Sequence, residues 1–329
     1  MSGLAQAPAR SATARDLLAR IERGLLALGG AALLVAAVLV IGRPSIFDLP
    51  SFIDGDVVGR LLAAAVLYVF SHLIRFLRLV VLLRNPALRL RRVLQVHLMT
   101  AGLGVLLPFK LGDLVRIREV GVVAGSWRTG LLAVWLERAL DAAVLAVLVL
   151  ITVLGVSESL PLLTPFLVVG TVFVAATAMA IAVLPENIRA LMLHIVRRPF
   201  GERSVPVLRA LRVTLDILHE APNLLRGRVL TLLLLSAMIW GSEIAVVSIA
   251  VPGAAEGVSE LSTALLSLLS GVSSGASPLM PVSSDRLAEA LTDLGSAPDV
   301  GVYRLCLVLP MLIAGAAAAI TYLPRRLRR

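Results

Sequence analysis

Cysteine occurs once in this 329-residue chain, at Cys306 inside an apolar run, so neither an intrachain disulfide nor a cysteine-ligated metal site is available. The chain also has no Gly-x-x-x-x-Gly-Lys-Ser/Thr phosphate loop, no His-Glu-x-x-His, no Gly-x-Ser-x-Gly and no Cys or His cluster. It has no long soluble insert either, which leaves an ATP-driven pump or a soluble-domain enzyme nowhere to sit. No catalytic residue, metal or cofactor is expected, and the chain is not expected to be an enzyme. Lysine is nearly absent. Of 31 Lys and Arg residues only Lys110 is lysine, so the net charge of +10 is carried by arginine.

What the chain has in excess is apolar surface. Hydrophobic residues make up 58% and charged residues 16%, and the mean hydropathy is +0.94. The apolar runs exceed the length of ordinary core helices, which points to an all-α polytopic membrane protein. In that setting the arginine excess reports topology and contact with anionic headgroups, and nucleic acid is not an expected partner.

In chain order, residues 1–23 form a basic tail with Arg10, Arg15, Arg20 and Arg23. Residues 24–41 are a first span, uncleaved because Gly42-Arg43-Pro44 offers no small-x-small cleavage pattern. An acidic loop with Asp48, Asp54 and Asp56 belongs outside. A second span from about Leu61 to Leu83 ends on Arg84, Arg89, Arg91 and Arg92, and so exits into the cytoplasm. Arg75 and Arg78, one turn apart in its last third, either snorkel toward the inner headgroups or face the protein interior.

The chain is organised around Leu106 to Glu119. Pro108 removes a backbone donor and Gly112 loosens the chain, so a helix arriving from residue 93 should break there and a second begin near Asp113. Fifteen residues from 93 to 107 rise only about 22 Å against a hydrocarbon thickness of about 30 Å. A full crossing would also put Lys110, Arg116, Arg118 and Arg128 outside, so residues 93–125 are read as a re-entrant hairpin with its tip at Pro108 to Gly112.

The next span, about 130–154, carries Glu137, Arg138 and Asp141 at roughly 10–16 Å from its start. These charges can pair among themselves at helical spacing, as a self-neutralised helix end, or form a charged wall facing the hairpin tip. A span from about Pro161 to Leu184 returns the chain to a basic cytoplasmic loop, residues 185–228. Its part from Val205 to Leu218 is patterned as an amphipathic helix on the inner leaflet, and His194 and His219 read as ordinary surface histidines. The span from about Val229 to Val251 holds Glu243, a buried carboxylate suited either to proton exchange during transport or to a structural hydrogen bond.

Residues 301–323 form a last span, followed by a basic cytoplasmic tail, 324–329. By parity the segment 261–299 must cross an even number of times. Its small, Pro-broken centre, Ser273 to Pro281, suggests a second re-entrant hairpin entering from outside. About six spanning helices plus two hairpins in an inverted arrangement, with both termini cytoplasmic in the plasma membrane, make one domain over residues 24–323. Two hairpins from opposite faces are the device by which inverted architectures build a midplane site.

The stretch Leu107-Pro108-Phe109-Lys110-Leu111-Gly112-Asp113-Leu114-Val115-Arg116, followed by Glu137-Arg138-Ala139-Leu140-Asp141, resembles the signature of the lysylphosphatidylglycerol synthase transmembrane region, a flippase-like membrane family. The first position is often arginine in that family and is Lys110 here; the acid is often glutamate and is Asp113 here. The resemblance covers about residues 25–323. In the later half, a Pro-Gly-Gly-rich stretch common in the family is replaced by Ser277-Pro278-Leu279-Met280-Pro281, with Asp285 and Glu289 beyond. No soluble aminoacyl-transferase domain accompanies the pattern, so the resemblance implies the lipid-handling part without synthase activity.

The leading expectation is a flippase for an anionic phospholipid or a polyprenyl-phosphate-linked saccharide. Its site would comprise Lys110, Gly112, Asp113, Arg116, Glu137, Arg138 and Asp141, with Glu243 as a proton-coupling residue. Lysine and arginine would hold a phosphate headgroup, and the carboxylates would neutralise them when the site is empty. The alternatives are a non-transporting membrane partner of an envelope glycosyltransferase, and an intramembrane transferase with Glu137 or Asp113 as base.

Overall fold

The computed structural model describes residues 55–83, 88–106, 111–155, 160–197, 204–250 and 310–323. The first span, the second hairpin at 261–299, both tails and the tip residues Leu107 to Lys110 lie outside the described residues. Everything regular among the described residues is helical, in nine helices. They are α1 Gly55–Leu83, α2 Leu90–Leu106, α3 Leu111–Ala124, α4 Trp127–Gly155, α5 Leu160–Ala182, α6 Leu184–Val196, α7 Ser204–Leu225 and α8 Val229–Ala250, and α9 Pro310–Leu323.

Four of them are long and apolar enough to cross a membrane: Leu62–Leu83, Trp127–Gly155, Leu163–Ala182 and Val229–Val246. In α5 only 6% of the apolar window is buried inside the protein, and Val168, Val169 and Val172 are exposed. An outward apolar face of that length needs a hydrocarbon solvent. By contrast, α2 has 17 residues and rises about 25 Å, while α3 has 14 and rises about 21 Å, so neither reaches across about 30 Å of hydrocarbon.

α2 and α3 pack against each other, and α3 in turn packs along α4. Two small-residue approaches set these distances. A Cβ on Gly112 would stand 2.7 Å from the Gly104 Cα, and one on Gly130 would stand 2.2 Å from the Ile117 carbonyl oxygen. The α3–α4 turn is made by Gly125 at φ +81°, the left-handed region open to glycine. α2 is described to Leu106 and α3 from Leu111, and α3 leads through the Gly125 turn into α4.

The largest interhelical contact joins α1 to α8, which run antiparallel; α8 and α1 also touch α4. A core of Leu79, Leu82, Val96, Met99, Leu103, Val120, Leu136, Leu232 and Leu312 ties α1, α2, α3, α4, α8 and α9 together. α9 is held to the hairpin by polar contacts as well. Tyr322 donates its hydroxyl to Glu119 at 2.6 Å, and Gln95 donates to the Thr321 hydroxyl at 2.8 Å.

The basic segment after α5 forms two helices. Pro185 opens α6, and α7 buries Ala221 and Leu224 while leaving Val205 and Val207 exposed. α7 docks beside the start of α4 through Arg128 and Asp216 at 2.9 Å and through the Thr129 hydroxyl donating to Glu220. His194 is exposed, and His219, also exposed, accepts from Arg189 at 2.9 Å.

Candidate functional site

On α1, Ser71, Arg75 and Arg78 are spaced four and three residues apart and so share one stripe. On α8, Ser236, Trp240 and Glu243 repeat that spacing. Antiparallel packing lays the two stripes against each other. Ser71 Oγ donates to Glu243 Oε1 at 2.6 Å, and Arg75 Nη2 donates to the same oxygen at 3.0 Å.

Two turns along, Arg78 donates Nη1 to Asp141 Oδ1 at 2.5 Å and Nη2 to Asp141 Oδ2 at 3.1 Å, a fork-to-fork pair. The same Nη1 reaches Ser236 Oγ at 2.7 Å. Arg78 is 2% exposed and Asp141 6%, so of the two orientations open to this arginine the structure takes the inward one.

From the hairpin, Arg116 Nη2 bridges both Glu137 oxygens at 3.0 and 2.8 Å. Glu137 Oε1 also lies 3.9 Å from Arg78 Nε. Arg75, Arg78 and Arg116 thus meet Glu243, Asp141 and Glu137, three cations against three anions. An isolated charge deep in an apolar span costs about 2.5–3.5 kcal/mol, so six unpaired ones would cost roughly 15–21 kcal/mol. That exceeds the 5–15 kcal/mol by which domains are normally stable, and pairing is therefore a condition of folding.

Asp113 sits on the α3 face toward α4 and takes Arg138, which donates to it from Nη2 at 2.6 Å and from Nε at 3.2 Å. This pair is the open end of the constellation, with side chains 45% and 26% exposed. Of the two arrangements open to these charges, pairing within α4 is the weaker: Arg138 and Asp141 are 4.0 Å apart, and the shorter contacts of each are to other helices. Because α4 begins at Trp127, residues 137–141 lie about 15–21 Å along it, deeper than a start near 130 implied.

The structure brings Asp113, Arg116, Glu137, Arg138 and Asp141 together on α3 and α4. Gly112 serves the α2 crossing, Lys110 lies outside the described residues, and Glu243 stands at the α1–α8 seam. Ser71 and Ser236 were not singled out from the sequence. Glu119, which the expected site does not include, is fully buried and held by Arg118 at 2.5 Å and by Tyr322. Two histidines also emerge, His72 and His97, with ring centroids 5.8 Å apart. The polar stripes at intervals of three and four in otherwise apolar helices were the available signal for the serines.

The model for the family described as lysylphosphatidylglycerol synthase TM region matches residues 24–284. The chain belongs to this family. It is an integral membrane protein of that group, and the match contains α1, α2, α3, α4 and α8, hence every charged residue of the cluster. The match stops short of α9, which the resemblance in sequence had been expected to reach. No curated protein and no solved structure matches the chain.

Proposed function

We propose that this protein moves an anionic lipid, a phospholipid or a polyprenyl-phosphate-linked saccharide, between leaflets, with the headgroup held at the hairpin. The observation that supports this most is the pairing of Arg116. It is the hairpin's own cation at the cluster, and its partner Glu137 keeps Arg78 within 3.9 Å. Arg116 can therefore turn to a phosphate without leaving Glu137 as an isolated buried anion, whose cost is several kcal/mol.

Arg138 and Asp113 form a second exchangeable pair at the more exposed end. A headgroup entering there replaces a carboxylate as arginine's bidentate partner, and the tail stays in hydrocarbon. Lys110, next to α3 in the chain, supplies a compact charge near the tip. Short arms and a polar seam support a re-entrant hairpin at residues 93–125, since broken helices at membrane depth are tolerated where they line a polar cavity.

Lipid mass spectrometry on gently purified protein tests the ligand. The expected result is a phosphate-bearing anionic lipid enriched over its share of the bulk membrane in wild type, and lost in Arg116→Ala that still elutes as a single species. A lipid profile matching the bulk membrane in wild type would overturn the reading. Stoichiometric co-purification of an envelope glycosyltransferase with no enriched lipid would favour the non-transporting partner.

A further inference from the structure

Two neighbouring residues of α9 each hold one of the paired helices α2 and α3. The Thr321 hydroxyl accepts from Gln95 of α2 at 2.8 Å, and Tyr322 donates its hydroxyl to Glu119 of α3 at 2.6 Å. Six residues before Thr321, a Cβ on Gly315 would stand 3.1 Å from the Gly102 Cα and 3.1 Å from the Leu98 carbonyl oxygen, so α9 runs antiparallel to α2 in close backbone contact. The family match ends at residue 284 and α9 lies beyond it, so this grip is not among the features that assign the chain to its family.

Glu119 is the point at which α9 grips α3. Its side chain is fully buried, with Arg118 Nη1 on Oε1 at 2.5 Å and the Tyr322 hydroxyl on Oε2. A buried carboxylate gives up a charge-assisted bond only at high cost, which makes the contact a fixed point. Arg116 stands three residues earlier, about 60° round the same helix, and reaches both Glu137 oxygens on α4 at 3.0 and 2.8 Å. α3 is thus held on two neighbouring faces, by α9 through Glu119 and by α4 through Arg116. The crossings at Gly112 and Gly130 are backbone against backbone. They set how near the helices come and leave the turn of α3 about its own axis to its side chains. At a side-chain radius of about 5–6 Å, a turn of about 20° carries a group about 2 Å, which is enough to part a hydrogen bond.

We propose that Tyr322 is a positioning residue for Arg116: its hydroxyl, acting through Glu119, fixes the turn of α3 that keeps the Arg116 guanidinium on Glu137. The proposal rests on the lipid-handling reading for the importance of Arg116, while the positioning itself stands on the contacts of α3 and is measured without lipid transport.

The test is a double-mutant cycle for the Arg116–Glu137 pair, Arg116→Gln with Glu137→Gln, read by unfolding of the full chain in detergent and repeated in a Tyr322→Phe background. Phenylalanine keeps the ring and removes only the hydroxyl. The Arg116–Glu137 coupling is expected to fall at least about twofold in Tyr322→Phe. The coupling of Arg78 with Asp141, which joins α1 to α4 without α3, is expected to stay at its wild-type value. A contact that merely adds stability moves neither coupling, and a general loosening lowers both. Glu119→Leu is expected to repeat the selective loss. Glu119→Gln, whose amide oxygen still accepts from the hydroxyl, is expected to keep the coupling; this second pair of variants reads the contact even where Tyr322→Phe does not fold. An unchanged Arg116–Glu137 coupling on loss of the contact, or an equal fall of both couplings, overturns the assignment and leaves Tyr322 to stability alone. A selective fall in a protein that moves no lipid would remove the flippase reading and leave the positioning in place.

Discussion

At the level of single residues, the cluster is built so that no charge stands alone, and this makes the members unequal under substitution. Arg78 is 2% exposed and has Asp141 as its bidentate partner. Asp141→Asn leaves a buried guanidinium short of its counter-charge, and Arg78→Met leaves a buried carboxylate with Arg75 and Arg138 as more distant cations. Each is expected to destabilise the protein by about 3–5 kcal/mol in detergent unfolding, and the double replacement Arg78→Met with Asp141→Leu by less than the sum of the two. The Arg138–Asp113 pair, with its more exposed side chains, should behave otherwise: Arg138→Ala is expected to cost about 1 kcal/mol or less.

This division was only partly legible in the sequence. Glu137, Arg138 and Asp141 announced themselves because charges inside a long apolar run have no cheap explanation. Their partners did not. Arg78 sits five residues before Leu83, where snorkelling explains an arginine equally well; only the depth of Asp141, from a helix that begins earlier than expected, decides the matter. His97 on α2 looked like nothing in particular, since a lone histidine carries no spacing to read.

Among the elements, the hairpin arms depend on bare backbone contact. Gly130→Ala pushes a methyl group into the Ile117 carbonyl at 2.2 Å, with Gly121 backbone atoms at 2.5 and 2.7 Å behind it. No flexible side chain is there to yield. The expected outcome is a loss of roughly 2 kcal/mol or more of stability, whereas Gly59→Ala, with open space around it, should be neutral to slightly stabilising through its helix preference. Thermal unfolding of the two variants side by side measures the contrast. Some helix boundaries were readable: the second arm, expected to begin near Asp113, is helical from Leu111, and the apolar run to Leu83 gave the end of α1. The crossings at Gly112 and Gly130 were not, because a glycine in an apolar stretch signals a turn, a loosened helix or a close approach alike.

Membrane topology belongs to the hairpin as an element too. In a Cys306→Ser background, a cysteine at Lys110 and one at Ser283 are expected to react with impermeant maleimide from opposite faces of sealed vesicles. Labelling of both from the same face would contradict the inverted arrangement.

Taken as a whole molecule, the chain presents an apolar exterior on α5 and an interior polar seam that α1, α3, α4 and α8 all reach. Composition and run length gave the helical membrane class at once, because nothing but hydrocarbon accommodates such surfaces. Which helices close around the seam is a tertiary matter. The α1–α8 partnership joins residues about 170 positions apart and leaves no trace in local pattern until the two serine-containing stripes are laid antiparallel.

On the proposed function, this seam carries an anionic headgroup across the bilayer by way of Arg116. The most direct measurement is dithionite quenching of fluorescent anionic lipid in proteoliposomes, comparing wild type with Arg116→Ala and with Arg212→Ala, an exposed arginine on α7 that is not a member of the cluster. Wild type and Arg212→Ala are expected to move the lipid at equal rates, and a properly folded Arg116→Ala at least tenfold more slowly. Equal rates in all three proteins, or no movement by wild type, would contradict it.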